Sequence, residues 1–137
     1  MTRVFADAGY WIALLNPRDG LHAKARSVSE GLGNPRIVTS ELVLMEVFNA
    51  LAGKGEFLRR AAGALFDRIR LHVDAEIVPM NSNAFRDAVA LYRARGDKTW
   101  GLTDCTSFLI MRQRGITVVL SADRDFQQAG FEALLVG

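Results

Sequence analysis

Residues 116–126 read ITVVLSADRDF: five β-branched or aliphatic residues in succession, a small-residue exit, then two aspartates. An apolar run without polar alternation is the pattern of a strand buried on both faces, as in a parallel sheet covered by helices. Ile116 to Leu120 is therefore expected to be a central strand, with a short helix from Ala122 behind it. The same grammar repeats on either side. Arg3 to Ala6 reads as a strand that passes through Asp7 into a helix ending at Asn16-Pro17, and Leu21 to Glu30 as a helix closed by Gly31 and Gly33. Arg36 to Val38 is a strand, and Thr39 or Ser40 is placed to cap a helix to about Ala52. Phe57, Ala61, Leu65 and Ile69 recur at helical spacing within a helix from Glu56 to about Leu71, ahead of a short strand at Glu76 to Val78. Asn81 or Ser82 caps a helix to Arg95, Thr103 is the expected cap of one closed by Gly115, and Ala133 to Val136 makes the last strand. Alternating strands and helices predict an α/β fold with a parallel sheet covered on both faces.

The 137 residues, half of them hydrophobic and 23% charged, suit one domain over residues 1–137. The start MTRVFADAG has no basic region leading into a long apolar stretch, and no run reaches the roughly 18 apolar residues of a membrane span. A soluble, cytoplasmic protein with no membrane partner is expected. Cys105 is the single cysteine, so no intrachain disulfide forms, and the neighbouring Asp104 disfavours its thiolate.

Four carboxylates stand against apolar segments: Asp7 after VFA, Glu46 inside LVLMEVFNAL, Asp104 within GLTDC and Asp123 after VVLSA. In an open parallel sheet, functional groups collect beyond the carboxyl ends of strands, where Asp7 and Asp123 lie and which a helix start at Asp104 can also face. If the acids converge, their repulsion calls for a bound hard cation. Ordinary uses remain open for each: an aspartate in a first helical turn satisfies free amides, and Glu46 can pair with an arginine. The net charge of +2 hides an asymmetry, because setting these four aside leaves 11 acids against 17 cations, a balance of +6. Arginine, which dominates those cations, suits phosphate, although a coding bias explains its excess equally well.

These segments, in this order and over nearly the whole chain, resemble the successive motifs of PIN domains. The likeness is closest to the short, free-standing PIN proteins, many of them VapC-type toxins paired with an antitoxin. That resemblance implies a three-layer α/β/α sandwich with a central parallel sheet and a metal-dependent endoribonuclease. With the small size and no accessory domain, one half of a toxin and antitoxin pair, and a homodimer, is expected. Asp7, Glu46, Asp104 and Asp123 match the family's acidic quartet for Mg²⁺ or Mn²⁺. Thr103 matches the hydroxyl residue before the third acid, Asn49 a polar position that orients Glu46, and Ser121 the hydroxyl residue two before the fourth acid. Gly9 departs from the usual serine or threonine, and Cys105 from the usual alanine. His22, in the DGLH pattern, is expected to be structural.

The segment GDKTWG before LTD resembles a subgroup pattern and adds Lys98 and Trp100 beside the third acid, with Arg124 beside the fourth. Lys98 and Arg124 are candidate phosphate contacts and Trp100 a candidate base-stacking residue, against solvated charge and core packing as the plainer readings. Asp125 is the alternative fourth acid. A phosphoaspartate receiver or a haloacid-dehalogenase-like phosphatase also places an aspartate after a first strand. Gly9 stands where the phosphatase needs its second aspartate, and VPMN offers no acid where a receiver needs one. A PIN scaffold that binds RNA or protein without cutting is the remaining alternative, which the intact quartet argues against.

Overall fold

A computed structural model describes residues 2–137; Met1, which opens the expected domain, lies outside the described residues. The chain runs β1 (Arg3–Ala6), α1 (Ala8–Leu15), α2 (His22–Leu32), β2 (Arg36–Ser40), α3 (Glu41–Leu51) and α4 (Glu56–Leu71). It continues through β3 (Ala75–Val78), α5 (Ser82–Ala94), α6 (Leu102–Arg114), β4 (Val118–Leu120), α7 (Arg124–Gln128) and β5 (Glu132–Ala133). The sheet is parallel throughout, in the order β3-β2-β1-β4-β5.

That order follows from handedness. The chain steps from β1 to β2 to β3 on one side, then returns to lay β4 and β5 on the other; right-handed crossovers put the connecting helices on opposite faces for the two directions. Accordingly α1, α2, α3 and α4 pack with one another, while α5, α6 and α7 form a separate group. The result is a three-layer α/β/α sandwich. The order in which strands are added reverses between β1 and β4, and such switch points open a crevice at the carboxyl edge.

Val4, Phe5, Ala6, Val38, Val119 and Leu120 are fully buried, as strands covered on both faces require. Polar links fasten the layers where apolar packing cannot. Thr39 Oγ1 donates to the Ala6 carbonyl at 2.9 Å and accepts from Trp11 Nε1 at 3.3 Å, tying the end of β2 to β1 and α1. His22 Nδ1 lies 2.7 Å from the Ala13 carbonyl, the structural role expected of it.

Several boundaries differ from those expected. The strand after Gly115 begins at Val118 rather than Ile116, because the Ile116 amide closes α6 on the Met111 carbonyl at 2.9 Å while Gly115 turns left-handed at φ 65°. Helix α6 starts earlier than a Thr103 cap implies: Gly101 is its N-cap, and the Asp104 carboxylate reaches back to the Gly101 amide at 3.1 Å. Gly31 sits inside α2, which Gly33 ends at φ 68°. Beyond β5, Leu134 and Leu135 still donate to Val119 and Ser121 carbonyls at 3.0 Å, so the expected final strand persists as loose pairing rather than a regular ladder.

Candidate active site

Asp7 leaves β1 at the switch point, held against the neighbouring strand by its amide, which donates to the Leu120 carbonyl at 3.2 Å. Its side chain makes no capping bond to α1. Instead the Ser121 hydroxyl donates to Asp7 Oδ2 at 3.0 Å and accepts from the Asp123 amide at 3.0 Å, so one residue just past β4 joins two of the acids. Asp123 Oδ1 in turn accepts from the Asp125 amide at 2.9 Å and caps α7.

The spacing of α6 and α7 is set by aromatic packing. Phe108, one turn after Asp104, meets Phe126, three residues after Asp123, edge to face with ring centroids 5.0 Å apart. Trp100 closes on Phe108 from the other side at 4.9 Å. Carboxylate oxygens of Asp104, Asp123 and Asp125 consequently all lie within 4.8 Å of one another.

Asp7 and Glu46 fall outside that group of three, though within reach of the charge of Asp104. Burial pushes Asp7 up to about 6, against the pull of the Ala8 amide and the Ser121 hydroxyl, and the charges of Asp104 and Glu46 raise it further. Burial likewise pushes Asp104 up to about 6, opposed by the Gly101 amide and reinforced by Asp123, Asp125 and Glu46. Asp125 is raised by burial and by Asp123, while Lys98 lowers it. The ion pairs among the described residues, Arg36–Asp74, Arg60–Glu56, Arg70–Asp67, Arg95–Asp97 and Arg114–Glu76, include none of these five acids. A cluster of hard oxygen donors without a protein counter-ion fits a divalent cation of the Mg²⁺ or Mn²⁺ kind by its chemistry.

Residues 4–132 match the PIN domain family. The chain belongs to the PIN-domain family. This PIN domain is 28% identical over 128 residues to the 23S rRNA-specific endonuclease VapC20 of Mycobacterium tuberculosis, in strains CDC 1551 / Oshkosh and H37Rv alike, covering 93% of this chain and 95% of the relative. The crystal structure of VapC20 from that organism, described as a sarcin-ricin loop cleaving toxin, superposes with a TM-score of 0.81. Sequence identity in that alignment is 29%, with 93% of this chain and 95% of that one covered.

Several candidate residues of the PIN domain sit elsewhere than the sequence suggests. Glu46 is exposed, not embedded in an apolar stripe: Val43, Leu44, Val47 and Leu51 form the buried side of α3 and leave it facing out at the rim. Asn49 is also exposed and lines a groove with Phe48, Ala52, Arg59 and Ala62 between α3 and α4, with no hydrogen bond to Glu46. Thr103 is half-buried inside α6 rather than at its cap. Trp100 is 4% exposed, so its ring is part of the core and offers no face to a base. Arg124 is exposed at the start of α7. Cys105 is buried, and burial, then the Asp104 charge, raises its thiol as expected.

Asp125 is the residue whose place the sequence leaves least visible. Asp123 and Asp125 look like rivals for one position, yet the tight turn into α7 delivers both to Asp104. The signal is the spacing itself: a capping aspartate and the second helical residue both lie in the first turn.

Proposed function

We propose that this protein is a Mg²⁺- or Mn²⁺-dependent endoribonuclease, the toxin of a toxin and antitoxin pair, acting as a single domain over residues 1–137. The observation that carries the reading is the uncompensated group of acids at the switch point, in a PIN domain similar along 93% of its length to a 23S rRNA-specific endonuclease. Ribosomal RNA is therefore the substrate class of choice. A homodimer, a cognate antitoxin and a cytoplasmic location belong to the same reading; none of the described helices is long and apolar enough to cross a membrane.

Asp7, Asp104, Asp123 and Asp125 are the residues to hold the cation, with Glu46 at the exposed edge. When bound, a divalent ion supplies Lewis acidity that acidifies water and offsets charge growing on the phosphate. The chain supplies the rest. Ser121 fixes Oδ2 of Asp7, and the Gly101 amide fixes Oδ2 of Asp104. Glu46, solvent-facing, is the group placed to take the proton of the attacking water. Water adds at phosphorus, the bond to the 3′ oxygen breaks, and the products carry a 5′-phosphate and a 3′-hydroxyl.

Incubation of the purified protein with ribosomal RNA in Mg²⁺, Mn²⁺ or chelator, beside Asp7→Asn and Asp104→Asn, tests this. Cuts that need the metal, vanish in both variants and bear 5′-phosphates are expected. Cleavage persisting in both variants contradicts the assignment.

A further inference from the structure

We propose that Lys98, laid across the buried ring of Trp100, binds a phosphate of the RNA strand beside the acid cluster, with Trp100 and Arg95 as its positioning residues. This rests on the ribonuclease reading and adds a specific anion contact to it.

The turn from α5 into α6 brings two cations to one aromatic ring. Arg95 lies 5.1 Å from the Trp100 ring centroid and Lys98 Nζ lies 6.0 Å from it, and the Lys98 amide closes the turn on the Arg95 carbonyl at 3.1 Å. Their charges are used differently. Arg95 is held in a two-point bond by Asp97, Nε to Oδ1 at 3.0 Å and a terminal nitrogen to Oδ2 at 2.9 Å. Lys98 is half-buried and forms no ion pair among the described residues, although Asp97 and Asp125 both feel its charge.

A lysine free to choose would close on one of those carboxylates. Here the ammonium lies 6.0 Å from the ring centroid instead, a placement that cation–π attraction favours, most strongly over tryptophan. The indole explains itself the same way. Trp100 Nε1 is buried and without a protein hydrogen-bond partner among the described residues. What the residue offers is its face and its bulk, wedged on Phe108 directly before the Gly101 amide that holds Asp104.

The ammonium thus stands beside the acids with donors to spare. An RNA strand entering an acid-rich crevice brings one negative charge per nucleotide, and a cation fixed at its side offsets that repulsion. Arg124, exposed at the start of α7, is also in no ion pair among the described residues; Lys98 differs from it in lying over an aromatic ring that fixes its place.

Steady-state cleavage of purified 23S ribosomal RNA in Mn²⁺, with filter binding of the same RNA in chelator, tests the assignment. Lys98→Ala is expected to raise KM about tenfold with kcat within about twofold, because a contact made equally in ground and transition states changes KM alone. The slope of log binding constant against log salt should fall by about 0.7 for one lost contact. Lys98→Arg should recover most of the KM. Trp100→Phe should raise KM about threefold with a modest loss of melting temperature, since the smaller ring leaves part of the slot empty and holds a cation less well. An unchanged KM in Lys98→Ala, with Mn²⁺ affinity or melting temperature altered instead, assigns the lysine to screening and overturns the proposal. Wild-type protein that binds the RNA through Lys98 but leaves it uncut overturns the ribonuclease reading alone; protein that does neither overturns both.

Discussion

The Ser121 hydroxyl donates to Oδ2 of Asp7 at 3.0 Å, across the switch point of the sheet, while accepting from the Asp123 amide at the same distance. One side chain therefore fixes the orientation of the most buried acid and the turn that delivers the fourth and fifth. Orienting bonds of this kind are typically worth ten- to a hundredfold in metal affinity or activity. Ser121→Ala is expected to lose about tenfold in kcat, with about 1 kcal/mol of stability. Ser121→Thr keeps the hydroxyl and should retain more activity than alanine, which cleavage assays on the pair will show.

Asp7 carries a cost in the metal-free fold. Its folded pKa of about 6 lies above the ordinary value of 3.8, so the folded state binds the proton more tightly than the unfolded one. The sign follows: stability from this group is highest below pH 3.8, declines as pH rises toward 6, and remains reduced at neutrality. Asp7→Asn should therefore stabilise the chelated protein at pH 7 by on the order of 2 kcal/mol, and by progressively less toward pH 4. Urea denaturation of both proteins across that range measures it. An asparagine variant less stable than wild type at pH 7 would count against the burial argument.

Asp123 and Asp125 are predicted to act together. Asparagine caps a helix about as well as aspartate, so Asp123→Asn keeps α7 while removing a charge, and Asp125→Asn removes the charge of a side chain with no capping duty. Each should weaken Mn²⁺ binding by roughly tenfold, in line with loss of a coordinating or adjacent charge. Calorimetry on the two single variants decides: full affinity in either one removes that residue from the site.

Aromatic packing governs the distance between α6 and α7. Phe126→Ala should cost about 3–5 kcal/mol and endanger folding, whereas Phe126→Leu keeps most of the volume at a cost of roughly 1 kcal/mol. Because the Phe108–Phe126 contact sets the carboxylate spacing, the leucine variant is expected to fold yet bind Mn²⁺ several times more weakly. Circular dichroism and metal titration on the same sample separate the two effects.

Strand and helix order were legible because covered parallel strands such as Val118–Leu120 are written as unbroken apolar runs, and because Pro17, Gly33 and Gly115 punctuate them. Boundaries failed where a local bond overrode propensity. Ile116 looks like strand but its amide belongs to the helix cap, and Thr103 looks like a cap but a carboxylate one residue on reaches Gly101 first. Asp7 and Asp123 were legible as acids at strand exits, and Asp104 as one near a helix start. The geometry of the site was less so: the outward turn of Glu46 depends on which side of α3 meets the sheet, and the core burial of Trp100 depends on Phe108 and α7, both tertiary facts.

Calorimetric titration of the chelated and dialysed protein with Mn²⁺, compared with Asp104→Asn, bears most directly on the central claim. Saturable binding to the wild type, lost or weakened at least tenfold in the variant and accompanied by proton release near pH 6, is the predicted result. Equal binding by both proteins, or none by the wild type, would contradict a divalent ion held among these acids.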